Sequence, residues 1–181
     1  MNVLVISSSL RNGSNSEALA DEFAKGSEEA GNNTEKISLK DKKLAFCTGC
    51  FSCLKTGRCC IKDDAFNIVG KMHDADVLVL ASPIYFYGVS GQLKTLLDRA
   101  NPLYDTDYRF KSIFLLLSAA ENEEDTPDKA IRCIQGWADC FERAHLEKTI
   151  FADGVNERNE IAGHSALRKA YEAGKALGDG K

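Results

Sequence analysis

Three stretches of this chain gather side chains that can do chemistry. The first is Cys47-Thr-Gly-Cys50-Phe-Ser-Cys53-Leu-Lys-Thr-Gly-Arg-Cys59-Cys60, which holds five of the seven cysteines. Cys47, Cys50, Cys53 and Cys59 are separated by two, two and five residues. Four thiolates so spaced could ligate one [4Fe–4S] cluster, each iron taking one cysteine. Gly49 and Gly57 would let the backbone wrap tightly around it. Two other uses stay open: a structural zinc site, or no metal, with one or two half-buried cysteines and the rest reactive surface thiols. Cys60 is an extra thiol, either a substitute ligand or a bystander.

The second stretch runs from the apolar Val3–Ile6 into Ser7-Ser-Ser-Leu-Arg-Asn-Gly-Ser-Asn-Ser16, after which a helical pattern begins. A buried strand opening into a polar loop at a helix N-terminus is suited to hold a phosphate, because loop N–H groups and the helix dipole both favour an anion. Ser9, Ser14 and Ser16 supply hydroxyls, Asn15 an amide and Arg11 a charge-assisted donor. A pyrophosphate-binding dinucleotide loop would need Gly-x-Gly-x-x-Gly, and Gly13 is the loop's only glycine. A terminal phosphate fits better. The third stretch, Ala81-Ser-Pro-Ile-Tyr-Phe-Tyr-Gly-Val-Ser-Gly91, sets Tyr85, Phe86 and Tyr87 side by side. Pro83 and Gly88 are expected to keep it irregular. Three adjacent surface aromatics suit a flat, partly apolar ring system as their client. Ser118-Ala-Ala-Glu121 adds small residues over which a ligand could lie close to backbone.

These stretches need elements to position them. Apolar runs of strand length occur at Val3–Ile6, Glu35–Leu39, Val77–Leu80, Ile113–Leu117 and Thr149–Phe151. They alternate with helical stripes at Leu19/Phe23/Ala24, Phe66/Val69/Met72, Leu93/Leu96/Leu97, Ile131/Ile134/Ala138/Phe141 and Leu167/Ala170/Tyr171. Five βα units in strict alternation predict an open parallel sheet sandwiched by helices. Its ligand should lie beyond the carboxyl ends of the strands, where strand order reverses. The loops after strands one, three and four are the ones with unusual chemistry, as that rule requires.

The 181 residues are read as one domain, with the cysteine-rich loop at 46–61 and a Gly178–Lys181 tail expected to fray. Acidic and basic residues interleave around a net charge of −4, which argues against nucleic acid and anionic membrane as partners. No apolar run approaches membrane-spanning length, and residues 2–6 are too short for a signal-peptide core. A cytoplasmic location with reduced thiols is therefore expected. Asp98 and Arg99 read as a solvated pair, and His73, His145 and His164 as surface or packing residues. Cys133 and Cys140 read as small core or interface residues, and the acidic run from Glu121 to Asp128 as a solvated loop. The loop Asp153-Gly-Val-Asn-Glu157 has no role assigned from sequence.

Taken together, Ser9-x-Arg11…Ser14-Asn15-Ser16, Ser82-Pro-Ile-Tyr85…Gly88-x-Ser-Gly-x-Leu-Lys94 and Asp98-Arg99 resemble the flavodoxin-like NAD(P)H-dependent FMN reductases over nearly the whole chain. The resemblance implies an α/β three-layer sandwich, with a five-stranded parallel sheet in order 2-1-3-4-5 and helices on both faces. It implies that Ser9, Arg11, Ser14, Asn15 and Ser16 hold the FMN phosphate. Ser82, Pro83, Ile84, Tyr85 and Phe86 would line the flavin, with Tyr85 over its reacting face and Ser118 and Ala119 beside it. Ser8 departs from the glycine common at that place. The cysteine spacing is similar to that of the iron–sulfur flavoproteins, a branch of the same family, and Asp63-Asp64 follows it. The implied function is an FMN-dependent oxidoreductase, taking electrons from transiently bound NAD(P)H to a small-molecule or protein acceptor. A homodimer or homotetramer is implied as well. The competing function is an electron carrier with FMN and a [4Fe–4S] cluster working with ferredoxin-type partners; a third is a flavin-binding redox sensor. No catalytic side chain is assigned, because the cofactor carries the chemistry.

Overall fold

The computed structural model describes residues 1–104 and 106–178. Strands β1 (Asn2–Ser7), β2 (Asn33–Ser38), β3 (Val77–Tyr85), β4 (Gly88–Val89), β5 (Ser112–Ser118) and β6 (His145–Ala152) form its sheet. Helices α1 (Asn15–Glu29), α2 (Ser52–Thr56), α3 (Asp64–Asp74), α4 (Gly91–Arg99), α5 (Asp128–Ala138) and α6 (Ser165–Lys175) connect and cover the strands. The main path is β2-β1-β3-β5-β6, every neighbour parallel. That is the expected 2-1-3-4-5 order, but the sheet has six strands rather than five. The sixth, β4, pairs antiparallel with the end of β3 through Ile84↔Val89 and Tyr85↔Gly88.

Pro83 does not make this region irregular, and the expectation of an irregular loop is corrected. Proline suits extended backbone and withholds only one ladder donor. The pairing of β1 with β3 stops at Ser7↔Ala81, so on that side Pro83 has no strand to serve. The chain therefore runs extended to Tyr85 and turns through Phe86 and Tyr87, both at positive φ (49° and 63°).

The strands alternate strictly between two cores, as the period-2 geometry of a buried sheet demands. Leu4, Ile6, Leu78, Leu80, Ile113, Leu115 and Leu117 face α3, α4 and α5, meeting Ile68, Met72, Leu93, Leu96 and Ile134. Val3, Val5, Val77, Val79, Phe114 and Leu116 face α1 and α6, meeting Leu19, Phe23, Ala166 and Ala170. Helices α1 and α6 cross at Gly26 and Gly174. A Cβ on Gly26 would sit 2.1 Å from the Tyr171 carbonyl oxygen, and one on Gly174 would sit 2.1 Å from that of Phe23. Only glycine permits this approach.

On α5 the buried stripe is Ala130, Ile134 and Ala138; of the expected stripe, Ile131 is only partly buried and Phe141 packs from beyond the helix end. Cys133 is half-buried and Cys140 is exposed, so the core half of the core-or-interface expectation holds for neither. Each falls off the buried stripe. Of the tail, Gly178 closes a short 3-10 turn, Ala176–Gly178; residues 179–181 lie outside the described residues. Among the described residues no helix is long and apolar enough to cross a membrane.

Candidate functional site: a cavity at the carboxyl edge of the sheet and a cysteine-lined cavity

A cavity of about 400 Å³ opens beyond the ends of β1, β3 and β5. Ser9, Arg11, Ser14 and Asn15 form one wall, Pro83 to Tyr87 another, and Ser118 to Glu121 a third, with Val155 and Asn156 completing the ring. Ten of the twelve residues expected around a cofactor line it. The other two, Ser16 and Ser82, do not. Ser16 is buried, its hydroxyl 3.1 Å from Ser14 Oγ. Ser82 Oγ accepts from the Ser90 N–H (2.9 Å) and donates to the Pro83 carbonyl (2.8 Å), bracing the hairpin instead.

Local chemistry shapes the polar end. Ser14 is the N-cap of α1, and its Oγ accepts from the Glu17 N–H at 3.3 Å. The N–H groups of Asn15 and Ser16 belong to the first turn, which has no intrahelical acceptors. They stand at the positive end of a fifteen-residue helix. Gly13, at φ +66°, turns the loop where a Cβ would strike the Asn159 amide at 2.7 Å. Arg11 is exposed and its guanidinium donates to the Asn156 carbonyl. Asn15 Nδ2 donates to the Glu157 carbonyl (2.9 Å), and Asn15 Oδ1 accepts from the Ile161 N–H (3.2 Å). The Asp153–Glu157 loop, without a role in sequence terms, is thus hydrogen-bonded to the loop before α1. Its contribution was hidden because it is made largely by backbone carbonyls. Ser8 does not crowd the turn. Its Oγ donates to the Ala81 carbonyl (2.9 Å) and accepts from Ser90 Oγ (2.8 Å), tying β1, β3 and the α4 cap together.

At the other end, Tyr85, Phe86 and Tyr87 are exposed, Phe86 fully. Lys129 Nζ lies 4.5 Å from the Tyr87 ring centroid, a cation–π contact. Two aromatic residues in the left-handed region cost about 1–3 kcal/mol each.

A second cavity, about 290 Å³, is lined by Cys47, Cys50, Cys53, Cys59 and Cys60 together with Asp98, Arg99 and Asn101. All five cysteines of the run therefore face one space. Phe51 at φ 55° and Gly57 at φ 68° bracket the single-turn helix α2 between them. Asn101 Nδ2 donates to Cys53 Sγ at 3.0 Å, and Cys50 and Cys60 Sγ lie 3.7 Å apart. Hydrogen bonds from the Ser52 side chain and N–H, then from Cys60 and Thr48, lower the Cys50 pKa to about 7. Cys60 moves the opposite way, because its hydrogen bond to Cys50 and the negative charge of Cys50 both favour its protonated form.

The base of this loop is held by Arg99, which corrects the expectation of a solvated Asp98–Arg99 pair. Asp98 instead binds Lys94 at 2.6 Å in solvent. Arg99 is buried and makes a two-pronged ion pair with Asp63 at 2.7 and 2.9 Å. It also donates to the carbonyls of Ala45 (2.8 Å) and Ile61 (3.0 Å), one on each side of the cysteines. Burial opposes ionisation of Asp63, but its bonds to Arg99 and the Ala45 N–H outweigh it and hold its pKa below the usual carboxylate range. The partner could not be read from sequence, since 36 residues separate the pair.

Among the described residues no three His, Cys, Asp or Glu side chains converge as ligands of one ion. A zinc site needs such convergence, all sulfurs near 2.3 Å from one point. A cluster needs thiolates spread around a wall, one per iron. Five cysteines around one cavity supply thiolate donors of the type that either group takes.

A parallel sheet in this order, with a hydroxyl-rich loop closing on a helix N-terminus and an aromatic hairpin across from it, defines a flavodoxin-like α/β protein. Residues 1–137 match the NADPH-dependent FMN reductase family, and the chain belongs to it. It is 48% identical over 103 residues to an iron–sulfur flavoprotein of Methanocaldococcus jannaschii, covering 57% of this chain and 53% of that one. It is 30% identical over 138 residues to an iron–sulfur flavoprotein of Methanosarcina thermophila, covering 76% and 72%. The chain spans about half the length of most of the curated relatives it matches. Among solved structures, an NAD(P)H:quinone oxidoreductase from Methanothermobacter marburgensis superposes with a TM-score of 0.74 at 19% identity, covering 98% and 96%. That likeness concerns the fold.

Proposed function

We propose that this protein is an FMN-dependent oxidoreductase that takes electrons from a reduced nicotinamide to a small-molecule or protein acceptor. The observation that carries the reading is the roughly 400 Å³ cavity with a phosphate-type loop at one end and an aromatic hairpin at the other. FMN has the same polarity, a dianionic phosphate at one end and a flat ring system at the other. Bound FMN would supply hydride acceptance and stepwise electron release. Arg11, Ser9 and Ser14 would hold the phosphate beside the N–H groups of the α1 first turn. Asn15 keeps the loop shut through Glu157 and Ile161. Pro83, Ile84, Tyr85 and Phe86 would lie along the ring and keep water from it, with Ser118 and Ala119 allowing close approach from the third side. The cysteine cavity supports the iron–sulfur form of this reading, in which Cys47, Cys50, Cys53 and Cys59 hold a [4Fe–4S] cluster. A homodimer or homotetramer in the cytoplasm is part of the same proposal.

Anaerobic stopped-flow mixing of the FMN-loaded protein with NADPH or NADH tests it. Bleaching of the flavin absorbance is expected; no bleaching, with fast reduction by ferredoxin, would replace it by the electron-carrier function. Arg11→Ala should weaken FMN binding roughly 10- to 100-fold, the worth of a charged hydrogen bond. Unchanged affinity in a fluorescence titration of the apoprotein would remove Arg11 from the phosphate site. Anaerobic preparations should carry about four irons and four sulfides per chain.

A further inference from the structure

Arginine has five N–H donors, and in Arg99 four of them are committed. Nη1 donates to Asp63 and Ala45, and Nη2 to Asp63 and Ile61. The fifth, on Nε, is buried and has no hydrogen-bond partner among the described residues. Buried unpaired donors are rare, and rarer on a charged group. Arg99 also forms part of the wall of the cysteine cavity. Asp63 first, and then Cys59, favour the charged form of Arg99. Asp98 lines the same cavity but is neutralised by Lys94 in solvent.

We infer that Arg99 is a positioning residue for a sulfur centre in the cysteine cavity: its free N–H and its charge serve the sulfurs there and raise the centre's reduction potential. This rests on the iron–sulfur form of the proposed function. The clamp to Asp63, Ala45 and Ile61 keeps the guanidinium in place and joins both ends of the loop. The remaining N–H is what a loop clamp alone leaves unexplained. A donor and a cation beside thiolate-bound iron stabilise the more negative, reduced state, and hydrogen bonds to sulfur and net charge are known levers on cluster potentials. Asp63 acts in the opposite sense, since it cancels most of that charge.

The test compares Arg99→Gln, Arg99→Lys and Asp63→Asn in anaerobically prepared protein, with midpoint potentials read by redox titration of the iron–sulfur spectroscopic signal. Arg99→Gln should lower the potential by a tenfold change in the reduced-to-oxidised ratio, which is 59 mV for one electron. Arg99→Lys should restore most of it, and Asp63→Asn should raise it above the parent. A residue that merely tied the loop would give no reversal of sign between the two clamp partners, and shifts of one sign, or none, would overturn the inference.

A second measurement decides the matter where a variant does not retain iron. In cluster-free protein, Cys59 is alkylated with anionic iodoacetate and neutral iodoacetamide, and the ratio of rates is read by mass spectrometry. Both reagents attack the same thiolate, so the ratio cancels its protonation and reports the local field. The ratio should fall several-fold in Arg99→Gln and stay near the parent in Arg99→Lys; equal ratios in all three overturn the role of Arg99. Absence of iron from the parent with the expected ratios would instead remove the cluster and leave Arg99 as the cationic wall of a thiol cavity.

Discussion

His73 shows how a residue read as surface packing acquires a measurable role from its neighbours. Its Nδ1 lies 2.8 Å from Asp74 and its Nε2 3.1 Å from Asp107, on the rim of a third cavity below the cysteine loop. The hydrogen bond to Asp74 raises its pKa, burial opposes that, and Asp107 adds to it. Since the folded value lies above the unfolded one, the stabilisation is complete below about pH 6.5. It is lost as pH rises through the folded value. The difference in urea midpoint between the parent and His73→Gln should therefore be largest below about pH 6.5 and shrink as pH rises above it. A difference constant across that range would separate His73 from the two carboxylates. Residue types were legible from sequence here, but partners were not: Asp107 is 34 positions away. The same holds for Arg99 and Asp63, and for Arg11 and Asn156.

At the scale of elements, the β3–β4 hairpin carries the largest local conflict in the chain. The tight turn requires positive φ at both central positions, for which Asn-Gly is the favoured pair. Phe86 and Tyr87 occupy them instead. Phe86 is fully exposed and loses no packing on truncation. Phe86→Gly should therefore stabilise the apoprotein by about 1 kcal/mol, the relief of strain less the added chain entropy. It should also weaken FMN binding. Urea unfolding and a flavin titration on the same samples check both; a variant that is less stable and binds equally well would contradict the strain argument. The aromatic run was conspicuous in sequence, as was the proline. That Pro83 would continue the strand depended on where β1 ends, which is a property of sheet register.

Over the whole molecule, two cores cover opposite faces of one sheet and leave the first cavity beyond its carboxyl edge. The α1–α6 layer depends on the glycine crossing. Gly174→Ala would drive a methyl group into the Phe23 carbonyl, and Gly26→Ala would do the same at Tyr171. Each should cost about 1–3 kcal/mol by overpacking, measured as a fall in the thermal or urea midpoint, with Gly70→Ala as a control. A Cβ at Gly70 meets nothing within 4 Å. Because α1 carries Ser14 and Asn15 at its N-terminus, the crossing variants should also lose FMN affinity, whereas the control should not.

The alternation of strand and helix, the two-core pattern, the hydroxyl loop and the crowding of cysteines were all determined by sequence alone. Each is a local property: hydrophobic period, loop composition, or spacing along the chain. Tertiary structure decided which of those groups meet. It took Ser16 and Ser82 out of the cavity wall and brought in Val155 and Asn156. It buried Arg99 on Asp63 and turned five cysteines toward one space. Such contacts join residues tens to more than a hundred positions apart, and many are made by backbone carbonyls, which every residue carries. No residue type marks them in advance, so only the folded chain reveals them.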